Sequence, residues 1–207
     1  MFGEKKLKNL AKIALYEAGK LKASQAEVVI STGVEELTRF ANNQIHQSVS
    51  LEDSLVHVRV VMGKKIGVAR SNRLDKAGVV GVVKKAAELA RLQREDPHFR
   101  KLPSKAKYSS VARHYRKESH LGTFARAMAV ARLIGLAKKS KLSASGAFSE
   151  SESETLVANS NGVLAYNQGK SASLTAILTG EKGTGFGSHS TKGGKEINVE
   201  KVGSTAI

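Results

Sequence analysis

The residues that could do chemistry in this 207-residue chain are its six histidines and eighteen carboxylates, because it contains no cysteine. The lack of cysteine excludes disulfides, thiolate zinc sites, iron–sulfur clusters and a cysteine nucleophile. No histidine is followed by glutamate, so neither an HExxH nor an HExxxH helix places a zinc ligand beside a general base. No GxSxG elbow is present either. We therefore predict no catalytic residue and no metal ligand within residues 1–207.

Two clusters of ionisable residues remain to be weighed. His114 and Glu118 would share one helical face, and that spacing favours an exposed ion pair over a metal site. Glu150, Glu152 and Glu154 alternate along the chain, so a strand would present all three on one face, where they could hold a hard cation. Because serines separate them and no other acids cluster nearby, we expect a solvated strand edge instead.

A glycine-rich segment, GTGFGS at residues 183–188, is superficially similar to a phosphate-cradling loop. Such loops need a helix N-terminus directly afterwards to supply oriented N–H groups, and here the polar segment HSTKGGKE follows. We expect a strand that bends at glycine, with Phe186 packed on the core.

The net charge of +16 is the strongest global signal. Residues 84–117 contain eleven Lys/Arg and three acidic residues, and the first 22 residues contain six lysines. Helices with a basic solvent face produce the same counts, and no recognition-helix, RNP or zinc-finger signature is present, so we expect a solvated basic surface, with nucleic-acid binding as an alternative. The chain has no apolar run long enough to span a membrane and no secretory signal, which predicts a cytoplasmic protein without a membrane partner.

The elements that must position these residues form an α+β pattern with two layers, each an antiparallel sheet plus helices. Residues 1–95 form the first layer, which begins with a helix through Leu7 and Ala18 that stops at Gly19. A strand AEVVIST follows, and then the strands LTRFA and QIHQSVS form a hairpin around an Asn42-Asn43 turn. A second hairpin turns at Gly63, and a helix capped by Asp75 runs to about residue 94. Residues 96–117 contain both prolines and form a basic linker.

The second layer spans residues 118–207. A helix from about residue 119 to 139 buries Leu121, Phe124, Ala125, Met128 and Leu133, and a second antiparallel sheet follows. Asn198 would cap a new helix that has no end within the sequence. Since an unfinished amphipathic helix buries little apolar surface, we expect the second layer to be truncated and the native protein to continue past Ile207.

Five segments together resemble the first two regions of the TldD/PmbA (TldE) family, over nearly the whole chain: LTRFANNQIHQSV, VRVVMGKKIGVARSNRLDKAGV, KKAAELARLQREDPHF, LSASGAFSES and VANSNGVLAYNQGKSASLTA. The resemblance implies a cytosolic metallopeptidase family, also called modulators of DNA gyrase, in which homologous TldD-type and PmbA-type subunits associate. It implies zinc for the catalytic subunit, held by an HExxxH helix in a third region that this chain does not reach. The RFANNQIHQ wording is closer to PmbA-like members, which lack that motif.

The resemblance implies that this chain is the scaffold and substrate-cleft portion of a peptidase acting on small or unfolded peptides. The alternatives are a non-catalytic PmbA-like partner of an HExxxH-bearing subunit and a basic nucleic-acid-binding protein. Open sheet edges would bind an extended peptide by strand addition. Our candidates for a functional surface are Arg39, Phe40, Asn42 and Asn43, against the alternative of an ordinary hairpin with a packed Phe40.

Overall fold

The computed structural model describes residues 1–106, 122–193 and 195–207. The elements are α1 (Glu4–Lys20), β1 (Gln25–Ala41), β2 (Gln44–Met62), β3 (Lys65–Ser71), α2 (Lys76–Leu92), α3 (Gly122–Lys139), β4 (Ser143–Asn159), β5 (Leu164–Gly180), β6 (Gly183–Lys192) and α4 (Val199–Ala206). The predicted α+β class is confirmed. Residues 107–117 of the predicted linker, with the His114 and Glu118 pair, lie outside the described residues.

All six described strands belong to one sheet in the order β3-β2-β1-β4-β5-β6. The strands assigned to two layers are therefore joined, because β1 pairs with β4. Just beyond the end of β1, the N–H of Asn43 in the β1–β2 turn donates to the carbonyl of Ala144 in β4, at 3.1 Å. A contact between segments this far apart leaves no mark in local periodicity, which explains why the sequence predicted two sheets.

The strands are longer than predicted. AEVVIST and LTRFA are parts of the single 17-residue β1, and QIHQSVS continues into the 19-residue β2. Polar residues that suggested strand ends lie inside the strands: Thr32 and Glu36 are both buried within β1. Burial against polar partners lets a strand continue where its hydrophobic alternation stops.

Packing divides the described residues into two compact units. The first is formed by Met1–Gly33, 53–106 and Ser153–Gln168, and the second by Val34–Glu52, 122–152 and Gly169–Ile207. The units are interleaved along the chain because β1, β2, β4 and β5 each contribute residues to both. The division of the chain into two consecutive domains, separated by a linker at residues 96–117, stays a prediction.

The first unit packs α1 and α2 on its strand residues. The predicted stripe of α1 is buried, from Leu7 to Ala18, although the helix ends at Lys20 and the left-handed residue after it is Lys22 rather than Gly19. The predicted cap of α2 is confirmed, since Asp75 accepts a hydrogen bond from the N–H of Gly78 at 2.5 Å. The unit's core includes Leu7, Val28, Ile30, Val58, Val83 and Leu156.

The second unit packs α3 and α4 around Phe40, Phe148, Leu174 and Leu178. The predicted buried face of α3 is wrong in part: Leu133 is buried as predicted, but Phe124 and Met128 are exposed. Leu121 lies outside the described residues. The helix buries Arg126, Val130, Leu133, Ile134 and Ala137. Both faces of α3 carry apolar residues, so periodicity alone did not decide between them. The predicted cap of α4 is confirmed, since Asn198 accepts from the N–H of Lys201 at 2.8 Å.

Helix α4 lies directly on β6. A Cβ atom at Gly185 would collide with the carbonyl oxygen of Ala206, and one at Gly187 would collide with that of Val202. Glycine is required at both positions by this close approach. No helix in the described ranges is long and apolar enough to cross a membrane.

Candidate functional site

The four residues predicted as a functional surface lie at the β1–β2 hairpin in the second unit. Asn42 and Asn43 have φ values of 51° and 61°, which confirms the predicted tight turn. Phe40 is 1% exposed and belongs to the core, as in the alternative interpretation. Arg39 is exposed, and its guanidinium donates to the side chain of Gln47 at 3.3 Å. The functional role of this surface stays a prediction.

The structural role of Asn43 explains why this position is occupied by asparagine. Its side-chain amide donates to the carbonyl of Leu142 at 3.1 Å and accepts from the N–H of Ala144 at 2.9 Å. The turn is thereby joined to the beginning of β4. Asparagine tolerates the left-handed conformation and also supplies both hydrogen bonds, so these contacts explain the residue without a ligand.

The alternating glutamates do not form a solvated strand edge, so that expectation is wrong. Their strand, β4, lies between β1 and β5 in the middle of the sheet. Glu150 is 4% exposed and Glu154 is 1% exposed, whereas Glu152 is half-buried. The alternation placed them on one face as expected, but that face is the buried one.

Arg126 of α3 explains why Glu150 can be buried. One guanidinium nitrogen donates to Glu36 at 2.6 Å and to Glu150 at 3.0 Å, and the other terminal nitrogen donates to Thr123 at 3.2 Å. Charge-assisted bonds of this length compensate part of the cost of removing three charges from water. Lys170 of β5 is also buried in this unit, and its ammonium has no hydrogen-bond partner among the described residues.

This ion cluster was not predicted from the sequence. One sign of a buried charge was present in the sequence, because Arg126 lies four residues before Val130 and so on the same buried face of α3. The cluster could not be assembled from the sequence, however, since Glu36 lies 90 residues away on β1.

The carboxylate of Glu154, in the first unit, accepts hydrogen bonds from four donors, two at each oxygen. One carboxylate oxygen accepts from the N–H of Phe2 at 2.9 Å and the hydroxyl of Thr32 at 3.1 Å. The other accepts from the N–H of Gly3 at 2.9 Å and the hydroxyl of Tyr166 at 2.6 Å. This carboxylate holds the beginning of α1 on β4 and is not available to a ligand.

The described residues do not fit the zinc that the family resemblance implies. They contain no group of three histidine, cysteine, aspartate or glutamate side chains that could hold a metal ion. The buried glutamates Glu150 and Glu154 are engaged by Arg126 and by the N-terminal amides, respectively.

The outer edge of β6 is an open hydrogen-bonding edge of the second unit. β6 ends the strand order, so no described strand pairs with its outer side. The N–H of Gly193 donates to the carbonyl of Lys170 at 2.8 Å, which sets the alternation of the antiparallel β5–β6 pair. Odd-numbered residues of β6 therefore bond to β5, and the N–H and C=O groups of the even-numbered residues point outward: Thr184, Phe186, Ser188, Ser190 and Lys192.

The side chains of these even-numbered residues lie on the face opposite α4 and are exposed. Phe186 is 60% exposed beside its register partner Ile177, which is 44% exposed, so the expected core packing of Phe186 is wrong. Further along the same face, beyond the Thr175–Ser188 pair, the hydroxyls of Ser173 and Ser190 lie 2.8 Å apart. We call the outward edge of β6, together with this face of β5 and β6, the β6 surface. It offers unpaired backbone groups, one apolar pair and a hydroxyl pair.

Comparison with known families and structures gives a consistent picture. Residues 26–90 match the family model of the PmbA/TldA metallopeptidase domain 1, and residues 117–207 match that of the PmbA/TldA metallopeptidase central domain. A search among curated proteins gave no match. Solved structures share the fold over nearly the whole chain.

Three solved structures illustrate this likeness. TldE from Thermococcus kodakarensis is 20% identical with a TM-score of 0.78, over 97% of this chain and 46% of that one. A Thermotoga maritima protein named as a proposed modulator of a DNA gyrase is 15% identical with a TM-score of 0.75, over 97% and 46%. A similarly named Bacteroides thetaiotaomicron protein is 16% identical with a TM-score of 0.73, over 92% and 46%. This chain thus spans about half the length of the structures it matches.

Proposed function

This chain belongs to the PmbA/TldA (TldD/PmbA) metallopeptidase family, and from that premise we propose that it forms the scaffold and peptide-binding part of a peptidase assembly. The single observation that carries the proposal is the outer edge of β6, with which none of the described strands pairs. An extended peptide that adds a strand there would satisfy the outward backbone groups of both chains. Backbone bonding of this kind accepts many sequences, as a peptidase for small or unfolded polypeptides requires.

The side chains of the β6 surface add a limited preference to this binding. Phe186 and Ile177 form an exposed apolar pair next to the edge, so a bound peptide gains most when it places an apolar residue there. The hydroxyls of Ser173 and Ser190, which lie 2.8 Å apart further along this face, would hydrogen-bond polar side chains of the peptide. Extended peptides with one apolar residue are the substrate class that this surface fits.

We propose that the catalytic zinc is held outside the residues described here. The full 207-residue sequence contains no HExxxH, and the described residues contain no metal-ligating group. The motif would come either from further polypeptide of the same subunit or from a homologous TldD-type subunit, in which case this protein is the non-catalytic partner. Zinc analysis of the protein purified from its native cells, with and without its copurifying homologue, separates the two: zinc in the isolated subunit contradicts the partner role.

Peptide binding at β6 is tested by Ser188→Pro with Ser188→Ala as its matched control. Proline removes the outward N–H of Ser188 but no bond to β5, and edge strands tolerate it there. Alanine removes the hydroxyl and keeps the N–H. Using a fluorescent, unstructured peptide of about ten residues, we expect the proline variant to bind about tenfold more weakly, corresponding to about 1.4 kcal/mol, and the alanine variant to bind as wild type.

Circular dichroism must first show equal folding of the two variants. Equal peptide affinity of the folded proline and alanine variants would remove β6 as the binding edge. Phe186→Ser provides the second readout, since it should weaken peptides with an apolar residue more than it weakens all-polar peptides.

A further inference from the structure

A second open feature lies in the first unit, in the groove between the end of β3 and the first half of α2. The groove has a volume of about 310 Å³. Three cationic side chains line it: Arg70 on β3, Arg73 in the connection and Lys85 on α2. Gly78 and Gly81 lie on the helix side of the groove. No acidic residue lines it.

The surface around the groove is strongly basic. Residues 64–94 contain nine Lys/Arg and two acids, Asp75 and Glu88, which gives a net charge of +7. The two acids make exposed pairs, Arg73 with Asp75 at 3.0 Å and Lys85 with Glu88 at 3.6 Å. Exposed pairs of this kind are weak and exchange readily for another anion. The excess of positive charge is therefore available to a partner.

Gly81 is not explained by the packing of the fold. A Cβ at Gly78 would come 2.5 Å from atoms of Arg73, so that position requires glycine. A Cβ at Gly81 would meet nothing within 4 Å, and glycine inside a helix costs about 1 kcal/mol relative to alanine. The effect of Gly81 is to leave the groove open beside Lys85.

We propose that this groove binds phosphate groups of a nucleic-acid backbone. Arginine forks match phosphate oxygens, and the surrounding lysines and arginines extend the positive surface beyond a single phosphate. The amides of the helix end do not supply the site, because Asp75 already accepts from the N–H of Gly78. Such binding is independent of base sequence and separate from peptide binding at β6.

The test is fluorescence anisotropy with a labelled DNA duplex of about 20 base pairs. Three phosphate contacts predict a dissociation constant that rises about fortyfold between 50 and 200 mM salt. Gly81→Leu fills the groove without changing charge and with better helix propensity, and we expect binding at least about fivefold weaker. Arg70→Gln should weaken binding and also reduce the salt dependence by about one contact.

Lys138→Gln on α3 is the matched charge control, since Lys138 lies outside the groove, and it should change binding less than about twofold. The proposal is overturned if the folded Gly81→Leu protein binds like wild type, if Lys138→Gln and Arg70→Gln weaken binding equally, or if no binding occurs at 50 mM salt. It is also overturned if the groove variants lose binding to anionic lipid vesicles while wild type ignores DNA.

Discussion

Replacing Glu154 with glutamine should destabilise the first unit by detaching its N-terminal residues. Each carboxylate oxygen of Glu154 accepts one backbone N–H, from Phe2 on one side and from Gly3 on the other. The glutamine side chain has the same shape, but its NH₂ group cannot accept. Whichever way the amide is turned, it therefore places a donor against one of these backbone donors.

The expected loss follows from these contacts. A donor left unsatisfied costs about 1–3 kcal/mol, and the bonds that remain lose the assistance of the negative charge. Water can reach Phe2 and Gly3 when they separate from the strand, which limits the loss, since both are only half-buried. We expect about 3 kcal/mol, which lowers the melting temperature of a protein of this size by about 6–12 °C.

Thermal unfolding followed by circular dichroism measures this effect. Glu181→Gln, in the exposed turn between β5 and β6, is the control and should stay within about 0.5 kcal/mol of wild type. Deleting residues 1–3 in both backgrounds completes a double-mutant cycle. The deletion should cost much less in the Glu154→Gln protein than in wild type. An unchanged melting temperature, or losses that simply add, would refute the assignment of Glu154 as the anchor of the N-terminus.

Three further predictions concern single residues. Arg126→Met should cost about 3–5 kcal/mol in urea unfolding, because two buried glutamates lose their shared guanidinium. The N–H of Gly78 donates to Asp75 and holds the pKa of that carboxyl below its usual range. The loss in melting temperature caused by Asp75→Ala should therefore be full above about pH 4 and should shrink as the pH falls through the lowered pKa. The loss caused by Asp75→Asn, which retains a cap, should not depend on pH in this way. Gly185→Ala should cost about 1–3 kcal/mol of unfolding free energy, because its methyl group would collide with the carbonyl of Ala206.

The elements that the sequence predicted correctly are those fixed by neighbouring residues. The caps at Asp75 and Asn198 accept from N–H groups three residues later, and the Asn42-Asn43 turn needs only its own backbone angles. These local causes are visible in a linear pattern. The buried stripe of α1 was predicted for the same reason.

The features that escaped prediction depend on partners far away in the chain. Glu150 was expected in solvent because serines surround it, yet Arg126 and the central position of β4 bury it. Phe186 was expected in the core, yet its face of β6 is open because α4 covers the glycine face. The turn in the candidate surface at residues 39–43 could be predicted from the sequence. The open edge of β6 could be located only from the strand order.

The pairing of β1 with β4 also has a consequence for synthesis on the ribosome. Ser160 donates its N–H to the carbonyl of Ala26, and these residues are separated by 134 positions. The hairpins of the first three strands therefore emerge with one side of β1 uncovered, and remain so until β4 has been made. Uncovered strand edges favour association between nascent chains, and contacts between distant segments form slowly. Slow synthesis before Ser143 should increase aggregation, whereas a pause after Asn159 should not.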